Sequence, residues 1–231
     1  MTDNPQTTAR AAGVLYLVII VFGLWSELAV RGGLVVPGDA AATAENILAN
    51  ETLFRLGFAA DSVMALSDAA LAILLFVLLR PVNAMLALMA AAFRLLQTAV
   101  IGVNLLNQYA ALLILGDAGT TTALGSDQAE ALALFFLDAQ SHGYDLGLIF
   151  FGVNSLLTGW LVWRAAFLPR ALGALLIVAG VVYLTGSYLL FLSPSAYEVF
   201  QPAYALCLLG ELAFCLWLLV RGVEAARWRE A

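Results

Sequence analysis

Six apolar stretches alternate with short polar connectors along the 231-residue chain: roughly Ala12–Val30, Leu56–Leu79, Ala84–Ile114, Leu132–Trp163, Ala171–Leu192 and Ala203–Val220. Each is long enough to cross a bilayer, which takes about 20 residues of helix. Every connector is shorter than about 25 residues and leaves no room for a soluble domain. The pattern predicts an all-α fold, a polytopic membrane bundle of about six transmembrane helices forming a single domain over 1–231. The first stretch is too long for a signal-peptide core and ends without a small-x-small cleavage site. It is therefore expected to remain as a helix behind the leader MTDNPQTTAR.

The polar residues inside these stretches are unevenly placed. If successive spans alternate in direction, they collect in one half of the bilayer. Glu27 falls late in the first span. Asp61 falls early and Asp68 midway in the second, followed by the purely apolar Leu71–Leu79. Arg94 is near the middle of the third, with Gln97, Asn104, Asn107 and Gln108 beyond it. Asp138, His142 and Asp145 precede the apolar part of the fourth; Tyr183, Thr185, Ser187 and Tyr188 follow that of the fifth. Glu211 is central in the sixth, with only apolar residues from Leu212 to Val220. Asn154 is the main exception.

Helical phase groups them further. At 100° per residue, Asp138, His142 and Asp145 share one narrow face, as do Asp61 and Asp68. Arg94, Gln97, Asn104 and Gln108 fall within about 80° of arc. Polar stripes on membrane helices face the bundle interior. The expectation is a polar intramembrane pocket that opens to the outer side and is closed towards the cytoplasm by a dry half.

Composition agrees with the pattern: 63% of residues are hydrophobic and 11% charged, against roughly 25% charged in an average soluble domain. Charge adds orientation. With the N-terminus inside, Arg10, Arg80, Arg164, Arg170, Arg221, Arg227 and Arg229 fall in the cytoplasm and only Arg31 and Arg55 outside. That bias predicts cytoplasmic termini and a plasma or inner membrane location. The net charge of −6 draws on outer-loop acids such as Asp39, Glu45, Asp117 and Glu198, which argues against nucleic acid as a partner. Cys207 and Cys215, about 12 Å apart along one helix, are too distant for a disulfide and are expected as packed or lipid-facing thiols. In the first outer loop, Asp39 and Asn50 are expected to cap helices. Ile47, Leu48, Leu53 and Phe54 give that loop an apolar side, expected to lie on the membrane surface as an interfacial helix rather than as a lid.

The strings PGDAAATAENILA, LLRPVNAMLALMAAAFRLLQ, HGYDLGLIFFG and FLPRALGALLIVAG resemble the bacterial multipass membrane family catalogued as domain of unknown function 4386. The resemblance implies a compact helical membrane fold and supplies no catalytic residues, so function rests on the site.

Arg94 at mid-membrane requires a carboxylate, which Asp68 or Glu211 would provide. It cannot neutralise Asp61, Asp68, Asp145 and Glu211 together, and this surplus of acid points to a ligand pocket with acid–base capacity. The candidate catalytic residues are Asp68, Glu211 and His142; Asp61, Arg94, Gln97, Asn104, Asp138 and Asp145 are the candidate ligand-binding residues. No metal is expected, since zinc sites use more His or Cys than this chain offers, and no cofactor is indicated. Gly143 and Gly147 read as a close-packing step, with Gly143 a candidate kink. Three functions fit: an acid–base enzyme acting on a lipid or isoprenoid-like substrate, a binding protein or transporter for a small amphiphile, and a structural or regulatory membrane subunit. Apart from the lipid bilayer, the expected partner is a small amphiphilic or lipid ligand. Asp68→Asn is expected to abolish binding while leaving the folded yield largely intact.

Overall fold

The computed structural model describes residues 4–230 and contains no strand among them. Its helices are α1 Pro5–Trp25, α2 Gly32–Leu34, α3 Ala40–Ala49, α4 Glu51–Leu79, α5 Ala84–Gly116, α6 Ala118–Leu124, α7 Ser126–Arg164, α8 Arg170–Leu192, α9 Pro194–Phe200, α10 Tyr204–Val220 and α11 Ala225–Glu230. A π-helical turn, Ser26–Arg31, joins α1 to α2, and a 3-10 turn, Gln201–Ala203, leads into α10. Six segments are long and apolar enough to span a membrane, and they coincide with the six predicted from the pattern.

Asx side chains start several of these helices. Asn4, Asp39 and Asn83 accept from Gln6 N, Ala42 N and Leu86 N, satisfying amides that have no partner within the helix. Asp117 accepts from Thr120 Oγ1 and N at 2.5 and 2.8 Å. These bonds hold its carboxyl below the ordinary range. Asn50 starts α4 without a side-chain bond to it, donating to Asn46 O instead.

The six long helices form a ring in chain order. α1 packs on α4, α4 on α5, α5 on α7, α7 on α8, α8 on α10, and α10 closes on α1. The start of α1 and the segment after α10 lie at one end of the ring. There Gln6 Nε2 donates to Arg221 O and Gln6 Oε1 accepts from Val223 N, both at 2.9 Å, while Trp228 Nε1 donates to Leu78 O at 2.8 Å. At this terminal end the interior is one apolar cluster, including Ala9, Ala12, Leu71, Leu78, Leu161 and Leu218. A void beside Arg94, lined by Asn154 and Thr158, measures only about 10 Å³, at or below what one water occupies. The dry half expected from the sequence is therefore a packed plug.

Two helix pairs approach closely through glycine. On the α7–α8 seam, a Cβ at Gly159 would lie 2.8 Å from Gly173 O, and one at Gly180 2.8 Å from Gly152 O. On the α5–α7 seam, Gly143 faces Asn104 and Gly147 faces Ile101. The Gly143–Gly147 step is thus a packing device, and α7 runs through Gly143 without interruption. The first loop corrects another expectation. α3 does not lie apart on the membrane surface, because Ile47 and Phe54 are buried with Leu112, Ala133 and Leu137. It is a cap seated on α5 and α7. α7 extends about 58 Å at 1.5 Å per residue, well beyond a ~30 Å hydrocarbon core, and so offers α3 a surface to dock on.

Candidate functional site

The centre of the ring holds an ion pair. Arg94, 2% exposed, donates from Nε and Nη2 to Asp68 Oδ1 at 2.8 and 2.5 Å. Thr98 Oγ1 donates to the other carboxylate oxygen at 2.6 Å. With its amide turned so that nitrogen faces the carboxylate, Gln97 adds a bond to that oxygen at 2.8 Å. The guanidinium lies between two ring faces, 5.2 Å from the Tyr16 centroid and 5.0 Å from that of Phe151. Of the two partners open to Arg94, the fold selects Asp68, and that charge is fully engaged.

Glu211 sits beside this pair. Tyr183 OH donates to Glu211 Oε1, and no cation is within ion-pair distance of Glu211 among the described residues. Arg94, Asp68, Gln97, Tyr144, Tyr183 and Glu211 line a cavity of about 70 Å³ whose apolar walls include Ile19 and Leu148. All six long helices contribute to its lining. The volume suits a polar head or a few waters. It is less than half of the ~150 Å³ that admits benzene, so an isoprenoid chain would have to lie outside it.

A second polar cluster lies towards the far end. Arg31 Nη1 donates to Asp61 Oδ2 at 2.5 Å and its Nε to Glu27 Oε2 at 2.7 Å; Ser26 Oγ reaches the same Asp61 oxygen at 2.8 Å. Asp61 is therefore not one of the surplus acids, because Arg31, assigned to the outer loop by sequence, turns inward to neutralise it. The π turn is the reason. Ser26 and Arg31 are five residues apart, which an α-helix would rotate by about 140°, whereas a π-turn's i→i+5 geometry brings both onto Asp61. Asp61 Oδ1 and both amide atoms of Gln108 are buried with no protein partner, the setting in which buried polar groups take up bridging water.

Asp145, 7% exposed, accepts from Ser187 Oγ at 3.2 Å and Tyr204 OH at 3.4 Å and likewise has no ion-pair partner among the described residues. Asp138 and His142 do not join it. Both are exposed, and His142 Nδ1 bonds the backbone oxygen of Asp138 at 2.8 Å rather than a carboxylate. The shared helical face is real but is covered only in part. α8 ends at Leu192, with Phe191 level with His142, so the surface that buries Asp145 against Ser187 stops there. Asn104 serves the α5–α7 seam, donating to Gln140 O at 2.6 Å. Among the described residues no group of His, Cys, Asp and Glu is arranged to hold a metal ion. Both thiols are packed, Cys207 against Ala179 O and Cys215 against Gly13 O.

Sequence reasoning missed Tyr144 and Phe151 at the cavity, Tyr16 at the Arg94 guanidinium and Arg31 at Asp61. The three aromatic residues read as ordinary apolar positions, and their signal was only their depth, level with Arg94 and Asp68.

A ring of six long apolar helices, with its buried charged side chains at the core and in the far half, defines an all-α polytopic membrane protein. The family model described as Domain of unknown function (DUF4386) matches residues 11–222, and the chain belongs to that family. An uncharacterized protein of Archaeoglobus fulgidus is 31% identical over 155 residues, covering 67% of this chain and 76% of that protein. No solved structure matches.

Proposed function

We propose that this protein binds the polar head of a small membrane amphiphile at the centre of its ring, with the far end facing outside a plasma or inner membrane. One observation carries the reading. Glu211 and Asp145 are buried with hydroxyl partners and no cation, while Arg94 and Arg31 are already engaged by Asp68 and Asp61. Packing alone requires no uncompensated carboxylates, and buried charges are ordinarily paired or functional. The packed plug counts against transport, which takes polar groups along both half-paths.

The hydrogen-bonded Tyr183–Glu211 pair on the cavity wall favours acid–base chemistry as a second reading, since a carboxyl held by a phenol is placed to exchange a proton with a bound head. Native mass spectrometry of gently solubilised protein tests the first reading. The expected result is a stoichiometric small molecule, lost in Glu211→Gln while the variant stays monodisperse. Bare wild-type protein under the same conditions would overturn it and leave the structural-subunit role. A product formed from added membrane lipids only when Glu211 is present would establish the second reading.

A further inference from the structure

α1 and α10 close the ring at the terminal end but follow different neighbours at the far end. Their contacts are Gly13 with Leu219, Gly13 O with Cys215 Sγ at 3.4 Å, and the edge-to-face rings of Tyr16 and Phe214, 6.1 Å apart. All lie on the terminal side of Glu211. Beyond that level α1 turns to α4, through Gly23 with Met64, Val30 with Gly57, and the Arg31–Asp61 ion pair. α10 stays with α8, through Cys207 Sγ on Ala179 O at 3.6 Å and Tyr204 against Gly186. The apolar clusters separate accordingly. Val30 belongs with Ile47, Phe54 and Leu137, whereas Cys207 belongs with Ala179 and Val182. At the terminal end, by contrast, α1 and α10 share one cluster.

The seam left between the far halves is acidic and aromatic. Glu211 lies at its floor, Asp145 is bonded to Tyr204 on the α10 side, and Glu27 is exposed at the far end of α1. Tyr183, Tyr204 and Tyr197 form a continuous run, with centroid separations of 5.8 and 6.4 Å. Carboxylates without cations beside aromatic faces complement a positively charged head. Exposed Leu24 and Leu208, each eleven residues on from the Gly13–Leu219 contact and so on the facing sides, flank the seam with apolar surface, beside exposed Val21 and Leu209.

We infer that this seam is a lateral portal from the far leaflet, and that its occupant is a single-chain amphiphile with a cationic amine head. The ammonium sits at Glu211 and the chain lies along Leu24 and Leu209. The inference rests on the central-site reading and adds to it the sign of the head and its route.

The test uses the full chain in nanodiscs with radiolabelled dodecylamine. Gly13 faces Leu219, and eleven residues on along each antiparallel helix, back on the same face, Leu24 is level with Leu208. A Leu24→Cys, Leu208→Cys protein is joined by a reducible bis-maleimide; the native thiols are buried and spared. Expected are one-to-one dodecylamine binding, at least a tenfold loss on cross-linking, and recovery on reduction. Glu211→Gln should show a similar loss, and neither dodecanol nor dodecyl sulfate should compete. Undiminished binding to the cross-linked protein would overturn the portal. Equal competition by dodecanol would overturn the cationic head while leaving the central site standing. If dodecylamine fails to bind but native spectra reveal another ligand dependent on Glu211, the inference falls and the central-site reading survives. Bare native spectra together with no amine binding would remove both.

Discussion

Asp68 and Glu211 are carboxylates at similar depth, one turn of chemistry apart in their roles. Asp68 accepts two bonds from Arg94 and one each from Thr98 and Gln97. Removing one member of a buried pair leaves an uncompensated charge and costs about 3–5 kcal/mol. Asp68→Asn is therefore expected to lower stability and folded yield, contrary to the expectation from sequence that yield would survive. Arg94→Met should do the same. The Asp68→Leu, Arg94→Met double variant should lose less than the two singles combined, since a buried pair is often replaceable by apolar residues of similar volume. Thermal unfolding in detergent measures all of these. An Asp68→Asn protein as stable as wild type would show that the pair does not hold the ring. Glu211 has no cation to strand, so Glu211→Gln keeps an acceptor for Tyr183 and should change stability by no more than about 1 kcal/mol. It is the cleaner functional variant.

Glycine spacing decides how closely the helices approach. A Cβ at Gly173 would lie 2.5 Å from Trp163 N and 2.6 Å from Gly159 O, both backbone atoms that cannot rotate away. Gly102, also helical, has nothing within 4 Å of the same position. Gly173→Ala should force α7 and α8 apart and destabilise by about 1–3 kcal/mol. Gly102→Ala should be neutral or gain up to about 1 kcal/mol from the lower chain entropy of Ala. Melting temperatures of the two proteins, measured side by side, check the contrast; equal values would mean that the α7–α8 seam yields. Much of this was legible. Segment limits followed from hydropathy, and the inward stripe of Arg94, Gln97, Asn104 and Gln108 followed from a 100° period. The Gly152–Gly159 and Gly173–Gly180 spacings of seven are equally plain in the sequence, but spacing alone does not say which pair of helices they join. The Arg31–Asp61 pair was hidden for a different reason. Extrapolating α-helical phase through Ser26–Arg31 misassigns every side chain beyond a π turn, and no residue in SELAVR announces one. Asp138 and His142 share the face of Asp145, and their exposure depends on where α8 stops, a property of a different segment.

At the scale of the molecule, the ring has two unlike ends, and the proposed outward-facing site depends on which end meets the cytoplasm. The arginine count favours the terminal end inside, and the side-chain contacts sharpen that count. Arg31 is consumed by Asp61 and Glu27, and Arg55 is paired with Glu51, so the far end presents no free arginine among the described residues. At the terminal end, Arg10, Arg80 and Arg170 are exposed and have no ion-pair partner among the described residues. Positive charge near span ends opposes translocation, so the terminal end is expected to stay in the cytoplasm. Single cysteines at Gly119 and Ala166, exposed at the far and terminal ends respectively, report the outcome. An impermeant maleimide added to intact cells should label Gly119→Cys and spare Ala166→Cys until the membrane is opened. The reverse pattern would turn the molecule over. The cap of α3, the acidic seam and the cavity at Glu211 would then face the cytoplasm, and the amphiphile would have to come from the inner leaflet.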